Sequence, residues 1–271
     1  MNTEHTAFFS LDSAGSYEPT EYARSAWSPT MLNGPSVVAA AARSLEREQG
    51  GGDFLPARLT VDLFAPVRFA PLEVSTEAVR AGRRIRVADA RVIQEGQTVA
   101  RATLVMLRLG EQPAGEVWTA PREVGFPRLL ADESLASDAH HYFVGDPENP
   151  DRWSRDMGDH QNNRRKRVWN HPRNVVEGDR ATPFQRAATL AESTSLATNW
   201  GTEGIGFINA DVTVALSRLP RSEDLGLEAD QHLSTNGVAV GTATLYDREG
   251  PFGTGTVVSV ANGGQRIDFG E

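Results

Sequence analysis

ATPFQRAATLAESTSLATNW, residues 181–200, reads as a helix with a sharp start. Thr182 is a good N-cap, Pro183 fits the first helical position, and Gln185 completes a capping box with Thr182. The body of the helix is almost all small: Ala187, Ala188, Ala191 and Ala197, with serine and threonine between. A helix this plain is expected to be buried, because small side chains let neighbours pack closely around it. One carboxylate, Glu192, sits in its middle. A carboxylate in such a place is either paired or chemically used.

Downstream the pattern is β. FINADVTVALSRLP (207–220), residues 224–235, and a hairpin over 237–262 that turns at Asp247-Arg248-Glu249-Gly250 come after the helix. Asn236-Gly237 is a tight-turn signal. Upstream, NGPSVVAAAARSLEREQ (33–49) is a helix with Asn33 as its cap, an apolar front half, a charged back half expected to be exposed, and Gly50–Gly52 as its stop. Strands are expected over 54–69, bent or ended at Pro66, and over 71–80, 83–93 and 97–109, the last two turning around Gln94-Glu95-Gly96. Two short extended pieces lie within residues 5–27.

The two halves repeat. Thr60-Val61 is matched by Thr213-Val214, Pro66 by Pro220, and Glu95-Gly96 by Glu249-Gly250, at offsets of 153 to 154 residues. Each half is a small-residue helix with about four antiparallel strands after it, so the chain reads as a tandem duplication of one α+β unit. Residues 110–180 have weak periodicity and read as a long connection, with QNNRRKRVW (161–169) beginning the second sheet. This places an N-terminal unit at 1–115, a linker at 116–160 and a C-terminal unit at 161–271.

Composition narrows the function. With 271 residues, 39% hydrophobic and 23% charged, the chain is in the globular range. Its net charge of −9 disfavours nucleic acid and anionic membrane as partners. The absence of cysteine excludes disulfides, zinc–thiolate sites and cysteine nucleophiles. MNTEHTAFFS lacks the features of a signal peptide, and no stretch approaches the ~18 apolar residues of a membrane helix, so a cytoplasmic location is expected.

The order of a buried alanine-rich helix and long antiparallel strands, twice over, resembles the double hot-dog fold. More specifically it is similar to the acyl-CoA thioesterase II family and its thioesterase-like relatives. The resemblance is carried by Ser25-Ala26-Trp27, Asn33-Gly34-Pro35, ATLVML (102–107), Trp169, FINADVTVALSRLP and the final hairpin, which together span most of the chain. It implies two hot-dog units with their sheets joined edge to edge, which also hides sheet edges. The implied substrate is a fatty acyl or related thioester of coenzyme A; no cofactor and no metal are expected. The resemblance further implies a water oriented by a carboxylate on the second helix, a residue of the next strand and a glutamine on the last strand. On this sequence those positions fall on Glu192, on Asn209, and on or next to Val258. Valine cannot hold a water. Ser259 is its neighbour and points to the opposite face of a strand, so Thr256, on the face of Val258, is the expected substitute.

Thioester hydrolysis needs an activated water, a donor for the oxyanion and a dry slot for the acyl chain. Glu192 can serve as general base; the alternative is a buried glutamate hydrogen-bonded for packing. Asn209 can donate its amide to a water or oxyanion, or simply start a strand. Alternation puts Asn209, Asp211 and Thr213 on one strand face and Val212, Val214 and Leu216 on the other, so Asn209 meets Glu192 only through a bulge or at the seam between units. Asp211 is expected to be a structural partner for an arginine. Gly34 can offer a backbone N–H at a helix N-terminus, whereas Pro35 beside it offers none. Arg164-Arg165-Lys166-Arg167 is a basic run in an acidic protein, with Arg165 and Lys166 either receiving coenzyme A phosphates or forming a solvated strand edge. His140, His141 and His160 have no metal-site spacing. No carboxylate is evident at the matching depth of the first helix, which assigns a single active site to the second half. The expected activity is acyl-CoA thioester hydrolysis. The alternative is acyl-CoA binding without turnover; a dehydratase is disfavoured because the helix has no histidine. A homodimer is compatible with either reading.

Overall fold

The computed structural model describes residues 6–119, 124–127 and 142–270. The chain opens with β1 (Ala7–Leu11) and β2 (Tyr17–Pro19), and then α1 (Gly34–Gln49). Four strands come after it: β3 (Phe54–Leu63), β4 (Glu73–Ala81), β5 (Ile85–Gln94) and β6 (Gln97–Arg108). Next are β7 (Tyr142–Asp146), β8 (Asn149–Ser154), β9 (Arg167–Asn170) and β10 (Asn174–Val176), then α2 (Pro183–Asn199). The chain finishes with β11 (Trp200–Gly201), β12 (Gly204–Ile205), β13 (Phe207–Asn209), β14 (Asp211–Leu216), β15 (Leu225–Thr235), β16 (Val238–Asp247) and β17 (Gly250–Ala261). The stretch 142–154, which reads as connection in the sequence, therefore contains two strands. Their residues are too few, and too interrupted by turn formers, to show a period.

One antiparallel sheet carries almost everything, in the order β4-β5-β6-β3-β14-β17-β16-β15-β9-β7-β8, with β13 also paired to β17. α1 packs on the β3–β6 half, α2 on the β14–β17 half, and the helices pack on each other. The two halves join through β3 and β14. Thr60 and Thr213, equivalent in the repeat, are directly opposite there, with their Oγ1 atoms 3.0 Å apart. A residue facing its own repeat partner marks a local two-fold relation between the units. The sequence repeat and the seam thus coincide.

α2 is buried nearly all round because its residues are small and the sheet behind it is smaller still. A Cβ on Gly255 of β17 would lie 2.2 Å from Thr194 Oγ1, so only glycine lets the helix sit this close. Overfilling such a contact costs typically about 1–3 kcal/mol. The start of α1 is fixed by Asn33, whose side chain accepts from the Ser36 N–H and donates to the carbonyls of Tyr22 and Arg24. The N–H of Leu32 donates to Val67 O, tying this loop to the chain after β3. The back half of α1 is less exposed than its charge implies. Arg43 is buried, donates to Asp179 at 2.7 Å just ahead of α2, and donates to Tyr17 Oη at 3.2 Å. Among the described residues, no helix is long and apolar enough to cross a membrane.

Candidate active site

Within α2 past Pro183, only Glu192 and Leu196 escape full burial. They are one turn apart, so they share a face, and both line a pocket of about 500 Å³. The pocket gathers residues distant in sequence. Trp27, Asn33 and Gly34 come from the first unit, Tyr142, Arg155, Met157 and Arg173 from the stretch before α2, Ile205 and Asn209 from after it, and Ile267 and Phe269 from the tail. Asn209 and Tyr142 are polar neighbours of Glu192.

Glu192 meets the N-terminus of α1. A Cβ on Gly34 would stand 2.0 Å from Glu192 Oε1, so glycine is required for the carboxylate to lie there. Asn33 takes up the Ser36 and Val37 N–H groups, and Pro35 has none. Gly34 opens the helix, and its N–H has no carbonyl one turn earlier to bond. Asn209 Nδ2 donates to Glu192 Oε1 at 3.4 Å and to Asp211 O at 3.3 Å. Burial pushes the Glu192 carboxyl up to about 8, and the hydrogen bond from Asn209 pulls the other way.

Asn209 reaches Glu192 through a break in register. Asn209 lies opposite Ser259, and Thr213 opposite Thr256. Four steps on one strand thus match three on the other, which is a β-bulge. The bulge turns Asn209 to the helix side, and the Asp211 carboxylate fills the gap by accepting the Val258 N–H at 2.6 Å. Asp211 is therefore a partner of backbone, and among the described residues it pairs with no arginine.

The same register corrects the expectation for Thr256. Gly255, Val257 and Ser259 face α2, with Val257 and Ser259 buried, so Thr256 and Val258 face outward on the far side of the sheet. Val258 is 39% exposed there. Ser259 is the helix-facing residue, and its hydroxyl accepts from Asn199 Nδ2 at 3.0 Å. Thr256 does not reach Glu192, because neighbours on a strand alternate faces and the bulge lies on the opposite strand.

Arg165 and Lys166 are also elsewhere. Lys166 is 1% exposed and donates its Nζ protons to Asn162 O, Asn162 Oδ1 and Arg164 O. Burial lowers its ammonium to about 8. It holds the 162–164 turn and cannot receive a phosphate. Arg165 pairs with Glu228 at 3.1 Å and lines a separate hollow of about 620 Å³. The arginines at the Glu192 pocket are Arg155 and Arg173, with Arg173 over the Tyr22 ring at 4.2 Å and Arg155 over Phe143 at 4.7 Å. Tyr142 is a further site residue that sequence patterning passes over. Its hydroxyl is buried without a well-formed hydrogen bond among the described residues; burial raises its pKa, and nearby Ser193 pulls it down. The hairpin composition around Gly145-Asp146-Pro147-Glu148-Asn149 is the signal that marks this stretch as sheet. His160 is buried against the Trp200 ring, and His140 and His141 lie outside the described residues.

The first unit also has a carboxylate that meets the other helix, but not at the matching depth, since the counterpart of Glu192 in α1 is Arg43. Glu46 of α1 meets the N-terminus of α2, accepting from Thr182 Oγ1 at 2.6 Å and from Gln185 Nε2 at 2.7 Å. Each helix thus sends a glutamate to the other helix's start. The first of these is consumed by capping and the second faces the pocket.

Two helix-and-sheet units joined edge to edge, with one carboxylate open at their seam, define a protein of the double hot-dog class. The chain belongs to the acyl-CoA thioesterase family. The family's N-terminal domain matches residues 23–107 and its C-terminal domain residues 128–260. Solved structures agree in fold. An acyl-CoA thioesterase II from Mycobacterium marinum has a TM-score of 0.64 at 11% identity, covering 96% of this chain and 97% of that one. A hot-dog protein of unknown function from Alicyclobacillus acidocaldarius gives 0.66 at 16% identity, covering 96% and 98%. A tesB protein of Mycobacterium avium subs paratuberculosis gives 0.62 at 15% identity, covering 86% and 88%. No curated protein matches the chain.

Proposed function

We propose that the protein hydrolyses an acyl-CoA thioester at the Glu192 pocket. The observation that carries this reading is the placement of Glu192: a carboxylate pushed up to about 8 at the floor of a pocket, bonded by one long contact to Asn209 and set against the start of α1. A water between the Glu192 carboxylate and the Asn209 amide gives up a proton to Glu192 as its oxygen attacks the thioester carbonyl carbon. General-base help of this kind is worth roughly 10²–10⁴-fold. Negative charge develops on the carbonyl oxygen, where the Gly34 N–H at the α1 N-terminus and the Tyr142 hydroxyl are the nearby donors. Collapse of the tetrahedral intermediate breaks the carbon–sulfur bond, and Glu192 returns its proton to the departing thiolate. Arg155 and Arg173 suit the coenzyme A phosphates better than Arg165 or Lys166, because they share the pocket with Glu192.

A thiol-release assay over acyl-CoAs from acetyl to stearoyl tests this, with Glu192→Ala as control. Turnover that collapses in the variant supports it; absence of turnover with every substrate overturns it. Acyl-CoA binding without turnover is the second reading. It is favoured by the last strand, where the helix-facing Ser259 accepts from Asn199 and, among the described residues, no last-strand side chain bonds Glu192. Saturable binding with no thiol release would select that reading.

A further inference from the structure

Leu196, Ile205, Ile267 and Phe269 give the Glu192 pocket an apolar wall, and Trp200 backs that wall through its contacts with Ile205 and Phe269. Glu192, Leu196 and Trp200 are at i, i+4 and i+8, so they line up along one stripe of α2 and its C-cap. At the helical rise, Trp200 lies about 12 Å along the axis from Glu192. Trp200 pairs with Ile205 across the β11–β12 hairpin. Ile205 lines the Glu192 pocket, whereas Trp200 lines the second hollow, the one of about 620 Å³ that also holds Arg165. The hairpin is thus the partition between two cavities. It is held in place from the tail, since the Ile205 N–H donates to Ile267 O at 2.9 Å and the Ile267 N–H donates back at 3.0 Å. The Trp200 ring packs on Phe269 with centroids 4.9 Å apart and is 5% exposed. Its Nε1 proton is buried with no partner among the described residues, an arrangement kept by packing rather than by hydrogen bonding.

We propose that the Trp200–Ile205 pair sets the longest acyl chain the site accepts and restricts it to short and medium chains. An acyl chain whose carbonyl is at Glu192 runs along Leu196 and ends against this pair. A longer chain would need the space behind the partition, where Arg165, Asp230 and His232 line the wall.

This role for the pair rests on the acyl-CoA reading of the same pocket, and its test separates the two. The substrates are straight-chain acyl-CoAs from acetyl to stearoyl, and the proteins are the full chain and its Trp200→Ala and Ile205→Ala variants. kcat/KM by thiol release is measured for each chain length. Calorimetric binding is measured for the same series on Glu192→Gln versions, which hold the ligand without cleaving it. The native protein is expected to lose affinity steeply beyond a medium chain. Both enlarging variants are expected to move that limit to longer chains, gaining roughly 4-fold for each methylene newly accommodated. Trp200→Phe is expected to shift it least. Ile205→Ala keeps the test open if Trp200→Ala fails to fold. Length profiles in folded variants that superimpose on the native one would overturn the proposal, as would native protein that takes stearoyl as readily as butyryl. A binding limit that moves without any thiol release would retain the partition and remove the hydrolase reading. Failure of every acyl-CoA to bind would remove both.

Discussion

Each unit sends a glutamate from its helix to the start of the other helix, and the two glutamates are used differently. Glu46 on α1 meets the start of α2, and Glu192 on α2 meets the start of α1. Glu46 accepts two short hydrogen bonds, from Thr182 and Gln185. Among the described residues Glu192 accepts one long one, and the helix start it faces offers a glycine and a proline in place of side-chain donors. The two contacts are alike in kind but come from different depths of the repeat, since Arg43 is the counterpart of Glu192. The Thr182 and Gln185 side chains satisfy one, and the Asn33-Gly34-Pro35 start leaves the other open toward a pocket. A poorly satisfied carboxylate drawn away from water is costly, so its retention fits a chemical use.

The largest effect is expected from exchanging the two carboxyls one at a time. Glu192→Gln keeps the shape and removes the base, so thiol release is expected to fall by roughly 10²–10⁴-fold with acyl-CoA binding retained. Glu46→Gln is expected to leave turnover within a few-fold and to lower Tm. Equal losses of turnover from both would dissolve the distinction between them. Next is Gly34→Ala. The added Cβ would displace Glu192 Oε1, and a shift of about 1 Å is expected to cost about 10²-fold in kcat; a steady-state assay at saturating substrate checks it. Native kcat in that variant would show that the contact does not position the base.

The pH dependence comes from the raised carboxyl of Glu192. A base must be ionised, so kcat/KM is expected to fall as pH drops below about 8. Asn209→Ala removes the bond that lowers this pKa, so the limb of the pH–rate profile is expected to move to higher pH; a limb moved to lower pH would contradict the hydrogen-bond geometry. The smallest effect is on stability. The folded chain keeps a proton that the unfolded chain releases near 4.5. The stabilisation from the protonated group is therefore full below 4.5 and is lost as pH rises through about 8. Glu192→Gln is expected to have a higher Tm than the native protein above pH 8, with the gap closing toward pH 5, as scanning calorimetry over that range would show.

Much of the fold is legible in the residues. Caps and glycines give both helices to within a residue, and alternation gives the strands of each half. The offset between Thr60 and Thr213 gives the duplication, and the two threonines face each other at the seam. Glu192 stands out because nothing else on α2 is charged between Arg186 and its end. Thr256, Arg165 and Lys166 are misplaced for one kind of reason: periodicity assigns a face, and a single bulge or a buried turn changes what that face meets. Tyr142 escapes because a five-residue strand between turns has too few positions to show a period.

Two capped helices, eight long strands in two sets, their repetition, and the identity of the one carboxylate on α2 are all written locally. They depend on propensity, capping and side-chain period, each set by residues close in the chain. The membership of the pocket is a different matter and comes only from the folded arrangement. Gly34, Tyr142 and Phe269 join Glu192 once β3 pairs with β14 and the tail pairs with the hairpin after α2. Contacts between distant segments are selected by packing and register, and neither is encoded in any single stretch.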